Sequence, residues 1–166
     1  MKAIIGFLLL IPLTIWGVGR IYNGIRYDMD CGGNLKRAAD ANTVQMAAKE
    51  LDVVLAYLEK NGMTDGYTSV LWRTPAEDVA FWYNNIRSAR EELNKVTDQT
   101  SQLERTNVLM KLRETLLDNG DKGMSVTDPS GISIFPHNTI WMFFGILSLV
   151  VSLIGTGFLV VAIDDF

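Results

Sequence analysis

The fold of this chain is decided by a run of 25 uncharged residues, 139–163, with the sequence TIWMFFGILSLVVSLIGTGFLVVAI. An α-helix rises about 1.5 Å per residue, so about 20 apolar residues cross the roughly 30 Å hydrocarbon core of a bilayer. Trp141 stands near the start of the run, and an amphipathic indole prefers the membrane interface. We therefore expect a C-terminal transmembrane helix over residues 139–163.

A second apolar run lies at the other end of the chain, where AIIGFLLLIPLTIWGVG follows Lys2. Such a run is also typical of a cleavable secretory signal, which ends in small residues of A-x-A type. Here the run ends in WGVGR, residues 16–20, which is a poor cleavage site. We expect an uncleaved signal anchor that forms a transmembrane helix over residues 1–22. Pro12 favours a kink in it, because proline lacks a backbone donor.

Nearly all of the charge lies between these runs, with 14 basic and 17 acidic side chains over residues 20–128. This near balance gives no electrostatic footprint for nucleic acid, so no nucleic-acid partner is expected. Counting Lys2 against Arg20 and Arg26 slightly favours a cytoplasmic middle, but long domains translocate largely regardless of charge. Because a short positive N-terminus usually stays inside, we expect both termini in the cytoplasm and the domain outside.

The polar middle, residues 23–119, is predicted to be a helical domain. Apolar residues recur three and four positions apart in its first half, which predicts a helix over residues 34–61. Asn61-Gly62 is a good stop signal, since glycine accepts a left-handed backbone without steric cost. The apolar stripe of this helix consists of Val44, Ala47, Leu51, Val54 and Leu58.

A second helix is predicted to begin after a loop at residues 62–73. Thr74-Pro75-Ala76-Glu77 has the pattern of a capping box with proline in the first turn. The helix that follows carries a heptad seam, formed by Val79, Trp82, Ile86, Ala89, Leu93 and Val96.

The heptad seam changes phase in the polar stretch after Val96. Two interpretations are open: one helix over residues 75–118 with a stutter, or two helices that meet near Thr100. We expect the single helix, because no glycine or proline interrupts it before Asn119-Gly120. The glycines and prolines of residues 120–138 predict a connector to the last helix.

The expected fold class is therefore an all-α membrane protein, with two transmembrane helices flanking a long antiparallel helical hairpin or a small helical bundle. If the first helix continues past Gly32-Gly33, the two arms match in length and project about 60 Å. If this glycine pair breaks the helix, the arms fold into a three-helix cluster. A lone hairpin has a thin core, so the long form is expected to self-associate.

The sequence offers no catalytic or metal-binding pattern, so we expect no enzyme, no cofactor and no metal. His137 is the only histidine and has no nucleophile at motif spacing. Asp28, Asp30 and Cys31 lack the His or Cys companions that a zinc site needs. Cys31 is the only cysteine and is expected to be a free thiol.

Two groups of residues are candidate interaction sites. The first is an aromatic and basic surface at the tip of the hairpin, which is the kind of surface favoured at binding hot spots. Its members are Tyr67, Trp72, Arg73, Phe81, Tyr83 and Arg87. The second is a row of small residues four apart, Ser148, Ser152 and Thr156, which would let two membrane helices approach closely.

Two functions are compatible with these patterns. The first is a non-enzymatic structural or accessory protein that acts through helix-mediated homo-oligomerisation or as a small subunit of a larger membrane complex. The alternative is an extracytoplasmic ligand-sensing domain that signals to a partner through its membrane helices. The order of its segments resembles the input half of bacterial chemoreceptors, a likeness of architecture that carries no function. The expected partners are membrane lipid and either copies of this chain or other membrane proteins.

Overall fold

The computed structural model describes residues 1–120 and 123–164, and most of these residues are helical. Residues 121–122 of the predicted connector and the last two residues of the chain lie outside this description. The chain divides into two compact units. The first, which we call the apolar pair, comprises Met1–Ile25 and the chain from His137 onward; the second, the helical domain, is Arg26–Pro136.

The apolar pair contains helix α6, Asn138–Asp164, and all but the last two residues of helix α1, Lys2–Tyr27. Both helices are long and apolar enough to cross a membrane, which confirms the mostly helical class with two apolar helices. Each is longer than its predicted span of 1–22 or 139–163, because helical structure continues into the flanking polar residues.

The helical domain contains four further helices and one small sheet. In chain order its elements are a π-helical turn Asp28–Gly32, α2 Gly33–Ala39, α3 Val44–Lys60, a 3₁₀ turn Pro75–Glu77, α4 Val79–Asn94, α5 Gln102–Leu116, strand β1 Leu117–Gly120, strand β2 Gly123–Val126 and a 3₁₀ turn Ile132–Ile134. The strands pair antiparallel, with Leu117 opposite Val126 and Gly120 opposite Gly123.

Helix α3 lies at the centre of the domain. Its predicted apolar stripe is buried along its whole length, from Val44 to Leu58. Helices α2, α4 and α5 all pack against it. The seam of α4 is buried at Val79, Trp82 and Ile86, so the two predicted apolar faces do form the core.

The prediction of one helix over residues 34–61 is wrong, because the chain turns between Ala39 and Val44. Asp40 ends α2, and Thr43 in an extended conformation begins α3. The Thr43 hydroxyl accepts a hydrogen bond from the Met46 amide at 3.2 Å, satisfying an otherwise unpaired donor of the first turn. The apolar spacing favours one continuous helix, but the Thr43 cap begins a new helix at this point.

The prediction of one helix over residues 75–118 is also wrong, and the alternative of two helices near Thr100 is the arrangement present. Ser101 caps α5: its hydroxyl accepts the Glu104 amide at 3.2 Å, and the Glu104 carboxylate accepts the Ser101 amide at 3.0 Å. The guanidinium of Arg105 donates to the carbonyls of Thr97, Asp98 and Thr100. These bonds hold the polar linker in a turn without glycine or proline.

Both arms of the predicted long hairpin are therefore interrupted, and the chain forms a cluster instead. A cluster was expected only if Gly32-Gly33 ended the first helix. The glycine pair does not end it. The backbone passes through it as one wide π-helical turn. A Cβ on Gly33 would come within 2.8 Å of the Asp28 carbonyl oxygen, so this turn needs glycine there.

Helix α4 begins four residues later than the predicted start at Pro75. Thr74 and Glu77 do interact, with the Thr74 hydroxyl donating to the Glu77 carboxylate at 2.7 Å, but they close a 3₁₀ turn. The α-helix itself is capped by Asp78, whose carboxylate accepts the Phe81 amide at 3.0 Å.

The connector prediction missed the hairpin of β1 and β2, so the domain departs from an all-α fold there. Asn119-Gly120, interpreted as a helix stop, lies in β1, and α5 already ends at Leu116. Asn-Gly is also a strong hairpin signal, but the flanking apolar alternation is too short to have favoured a strand.

The break between α4 and α5 can be tested through its cap. We expect Ser101→Ala to lower the free energy of unfolding by about 0.5–2 kcal/mol, because the Glu104 amide loses its acceptor. Denaturant unfolding of the full chain in a mild detergent measures this. Ser88→Ala, on the exposed face of α4, is the matched control and should be neutral or stabilising. Equal midpoints for the two variants would contradict a cap at Ser101.

Candidate functional site

The predicted aromatic and basic surface is not one continuous site. The guanidinium of Arg73 lies over the Tyr67 ring, 5.3 Å from its centroid. Trp72 is 77% exposed and Phe81 is 64% exposed. Tyr83 is only 8% exposed, and its hydroxyl donates to the Glu59 carboxylate of α3 at 2.8 Å. Tyr83 therefore belongs to the core rather than to an open surface.

The sixth member of the predicted set, Arg87, lies on the exposed side of α4. Its guanidinium is 3.6 Å from the Glu91 carboxylate one turn further along the same helix. Exposed pairs of this kind stabilise a helix only slightly, so Arg87 has a sufficient local partner and marks no site by itself.

A groove beside Phe81 is the candidate functional site of the helical domain. Its volume is about 240 Å³, and it opens to solvent. One wall is a face of α4 together with the turn before it, and the other is the end of α5 with the segment after β2. We call it the acidic–aromatic groove; its lining residues are Pro75, Ala76, Asp78, Phe81, Trp82, Asn85, Ile86, Thr115, Leu116, Asp118, Thr127, Asp128 and Pro129.

One hydrogen bond joins the two walls, and a second fixes the wall opposite α4. The indole of Trp82 donates to the Thr127 carbonyl oxygen at 2.7 Å, across 45 residues of sequence. The Thr127 amide donates to the Leu116 carbonyl oxygen at 2.9 Å, which extends the ladder of the β-hairpin by one bond. The segment carrying Asp128 is thereby held opposite α4.

The groove combines apolar and acidic residues. Its floor is apolar, with Trp82, Ile86 and Leu116 buried. Three aspartates are among its lining residues, Asp78, Asp118 and Asp128, and no lysine or arginine is among its described lining residues. A cation can therefore meet both aromatic faces and negative charge there.

Sequence reasoning found only Phe81 of this groove as a candidate site residue. Trp82 was assigned to the core seam, which is correct for most of its surface. Asp118 and Asp128 carry no local signal, because a turn aspartate is ordinary. Their significance comes from the fold-back of α5 and β2 onto α4.

Cys31 is a buried thiol in the helical domain and is fully shielded from solvent. Burial away from water raises the pKa of the Cys31 thiol to about 12, since the thiolate would lose its hydration. A thiol in such a setting is a poor nucleophile.

This burial predicts a pH dependence of stability. The unfolded thiol has a pKa near 9 and the folded one near 12, so its contribution is complete below pH 9 and is lost as the pH rises through 9–12. We expect the free energy of unfolding of the full chain to fall over that range. Cys31→Ala should lower stability at every pH but flatten the fall between about pH 9 and 10, before the tyrosines titrate. Parallel pH profiles would contradict this.

The predicted small-residue face of α6 lies against α1 in the apolar pair. Ser148 is 1% exposed and Ser152 is 4% exposed. The Ser152 hydroxyl donates to the Leu9 carbonyl oxygen of α1 at 3.4 Å. Thr156 is exposed and donates to the Ser152 carbonyl oxygen at 2.7 Å within its own helix. Two of the three predicted residues are thus covered within the chain.

Glycines on both helices make this close approach feasible. A Cβ on Gly155 would lie 2.8 Å from the Leu9 Cβ and 2.9 Å from the Gly6 carbonyl oxygen. A Cβ on Gly145 would lie 2.9 Å from the Trp16 indole. The first helix therefore does supply small residues opposite α6, although their irregular spacing hid this in the sequence.

Tryptophans fix the register of the two helices. The Trp16 indole donates to the Trp141 carbonyl oxygen at 2.9 Å. The Trp141 ring in turn fills the space beside Gly19, where a Cβ would come within 2.6 Å of it. The guanidinium of Arg20 lies 5.9 Å from the centroid of the Trp16 ring. This cluster, Trp16, Gly19, Arg20 and Trp141, ties α1 to the beginning of α6.

Comparison with known proteins assigns no family to the chain: no protein-family model, no curated protein and no solved structure matches it. Its function is therefore argued from the groove and from the apolar pair.

The packing of the apolar pair can be tested with two glycines of α6. We expect Gly155→Ala to destabilise the pair by about 1–3 kcal/mol, because the added methyl group meets backbone on α1. Gly157→Ala is the matched control, since nothing lies within 4 Å of the Cβ it would add. Near-ultraviolet circular dichroism during denaturation by SDS follows the tryptophans of the pair. Equal midpoints for the two variants would contradict the packing described here.

Proposed function

We propose that this chain is a two-pass membrane protein whose helical domain is a non-enzymatic binding module, an accessory subunit of a larger membrane complex. The observation that carries the proposal is the acidic–aromatic groove. The domain buries a complete core around α3, yet it leaves an aromatic and charged groove open on its surface. Concave sites with aromatic floors and a few polar groups are the usual places for recognition.

Exposure of the apolar pair supports insertion in a membrane. A core helix of a soluble protein would be mostly buried, but large apolar side chains are exposed along both α1 and α6. Soluble monomers rarely expose continuous apolar surface of this extent. The Trp16–Trp141 hydrogen bond also gives α1 a structural role, which a cleaved signal segment would not have.

We propose that both termini lie in the cytoplasm and the helical domain lies outside, following the positive residue at the start of the chain. Cysteine labelling tests this in a Cys31→Ala background. An impermeant maleimide should label Ser130→Cys, an exposed position of the domain, in intact cells. It should label Lys2→Cys only after lysis. The opposite pattern would place the domain in the cytoplasm.

The setting of Cys31 is compatible with the proposal of a non-enzymatic module. The Cys31 thiol is buried and stays protonated at neutral pH. Within residues 1–120 and 123–164, no three His, Cys, Asp or Glu side chains come together to hold a metal ion. A role for the groove in recognition needs neither a nucleophile nor a metal.

Packing inside the apolar pair favours a subunit of a larger complex over a homo-oligomer. The small-residue face that would join copies of α6 is already in contact with α1 at Ser148 and Ser152. Homo-oligomerisation would have to use other surfaces. A ligand-sensing domain is the second candidate, because the same groove could hold a small molecule.

The full chain purified in several mild non-ionic detergents distinguishes these functions. We expect native mass spectrometry to give the mass of one chain, because the face on α6 is covered within the chain. A stable multiple in every detergent would instead support the homo-oligomeric structural role. A small molecule retained in stoichiometric amount would support the sensor.

A further inference from the structure

We infer that the acidic–aromatic groove binds a basic segment of a partner protein, in which a lysine or arginine lies next to an apolar side chain. This inference rests on the proposed function of the domain as a binding module, and it names the chemistry of the partner. Three properties of the groove carry it: its charge, its exposed aromatic rim and its size.

The charge of the groove is negative without local compensation. One carboxylate oxygen of Asp78, Oδ1, accepts a hydrogen bond from the Phe81 amide, and the other has no described partner. Among the described residues, neither Asp118 nor Asp128 forms an ion pair with a basic side chain. The Asp128 carboxylate lies beside the Tyr27 phenol, and burial raises its pKa, so Asp118 is the more open of the two. By contrast, Asp52 and Glu92 on neighbouring surfaces of the domain are paired with Arg90 and Lys111. The groove thus presents unpaired carboxylates that a cationic group from outside would match.

The exposed aromatic ring at the rim of the groove is the second property that a partner segment would match. Phe81 is 64% exposed at the edge of the groove, next to the buried Trp82 and Ile86. A large exposed ring beside a buried indole is typical of a hot spot that a partner covers. A lysine or arginine stem can pack on such rings while its charged end reaches the carboxylates.

The size of the groove favours side chains of a partner over an enclosed small molecule. Its volume of about 240 Å³ is below the roughly 300–1,000 Å³ of cavities that enclose drug-sized ligands. It is also open along one side, so an extended or helical segment can lie across it. One or two side chains fill it, while the rest of the segment stays on the surface.

Defined peptides test the inference on the full chain in a non-ionic detergent. The probe is a fluorescent Leu-Lys-Leu-Lys-Leu peptide, with Leu-Glu-Leu-Glu-Leu and Ser-Lys-Ser-Lys-Ser as controls. We expect fluorescence anisotropy to show binding of the first peptide only, weakened by added salt. Binding of the glutamate peptide with equal affinity would overturn the charge argument, and equal binding of the serine peptide would overturn the aromatic one.

Matched variants locate the binding. We expect Phe81→Ala, and separately the pair Asp118→Asn with Asp128→Asn, to weaken the Leu-Lys peptide about tenfold. Trp72→Ala and Asp98→Asn remove an exposed ring and an exposed charge outside the groove, and both should bind as the unmodified chain does. Because the Asp128 carboxylate is partly buried beside Tyr27, far-ultraviolet circular dichroism and the unfolding midpoint check the folding of every variant. Full affinity in the groove variants would overturn the inference.

Two further measurements separate the inference from the proposed function. Hexylamine that competes as tightly as the peptide would overturn a partner segment as the occupant. The second measurement uses the photo-crosslinking residue p-benzoylphenylalanine in the native membrane. It replaces Asn85 inside the groove in one variant and Trp72 outside it in another, and the crosslinked proteins are identified. Crosslinks to a basic segment at Asn85 support the inference. Crosslinks at Trp72 alone would overturn the inference about the groove but not the proposed binding module. The absence of crosslinks at both positions would overturn the inference and the proposed function.

Discussion

Burial of the apolar stripe of α3 is the constraint on which the helical domain depends. A single antiparallel neighbour covers only one side of such a stripe, and the remaining apolar area would stay in water at about 25 cal/mol per Å². The chain meets this constraint by breaking both predicted long helices. The turns at residues 40–43 and 95–101 bring α2, α4 and α5 around α3, so the stripe is covered on all sides without a second chain.

The same fold-back creates the acidic–aromatic groove. Once α5 has reversed direction, its end and the β-hairpin must return along α4. Trp82 holds them there through the Thr127 carbonyl oxygen. The outer face of α4 then forms one wall of the groove, opposite the segments that carry Asp118 and Asp128, with Phe81 exposed at the rim. Closure of the core and opening of the groove are therefore two results of one chain reversal.

The hydrophobic effect does not hold the apolar pair together, because in lipid two apolar helices gain no hydrophobic free energy by associating. Close packing and hydrogen bonds must hold them. Gly6 and Gly155 let the two backbones approach closely, and the Trp16 indole donates a hydrogen bond to the Trp141 carbonyl oxygen. Small residues that the sequence suggested for contact between copies are thus used within one chain.

The sequence by itself determined the features that depend on near neighbours: two uncharged helical runs, the buried stripes of α3 and α4, and the small-residue face of α6. These follow from composition and from spacing within one helix. Ser101 and Glu104 have the spacing of a capping box, and such a cap begins a new helix even where no glycine or proline interrupts the chain. The Asn119-Gly120 signal was ambiguous between a helix end and a hairpin.

Only the tertiary structure decided what covers each face. The contacts that matter join residues far apart in the chain, such as Trp82 with Thr127 and Trp16 with Trp141. Periodicity shows that a face is apolar but not which partner buries it, because that choice depends on where distant segments reverse. For this reason Tyr83 turned out to be core, Phe81 remained open, and Asp118 and Asp128 became walls of a groove.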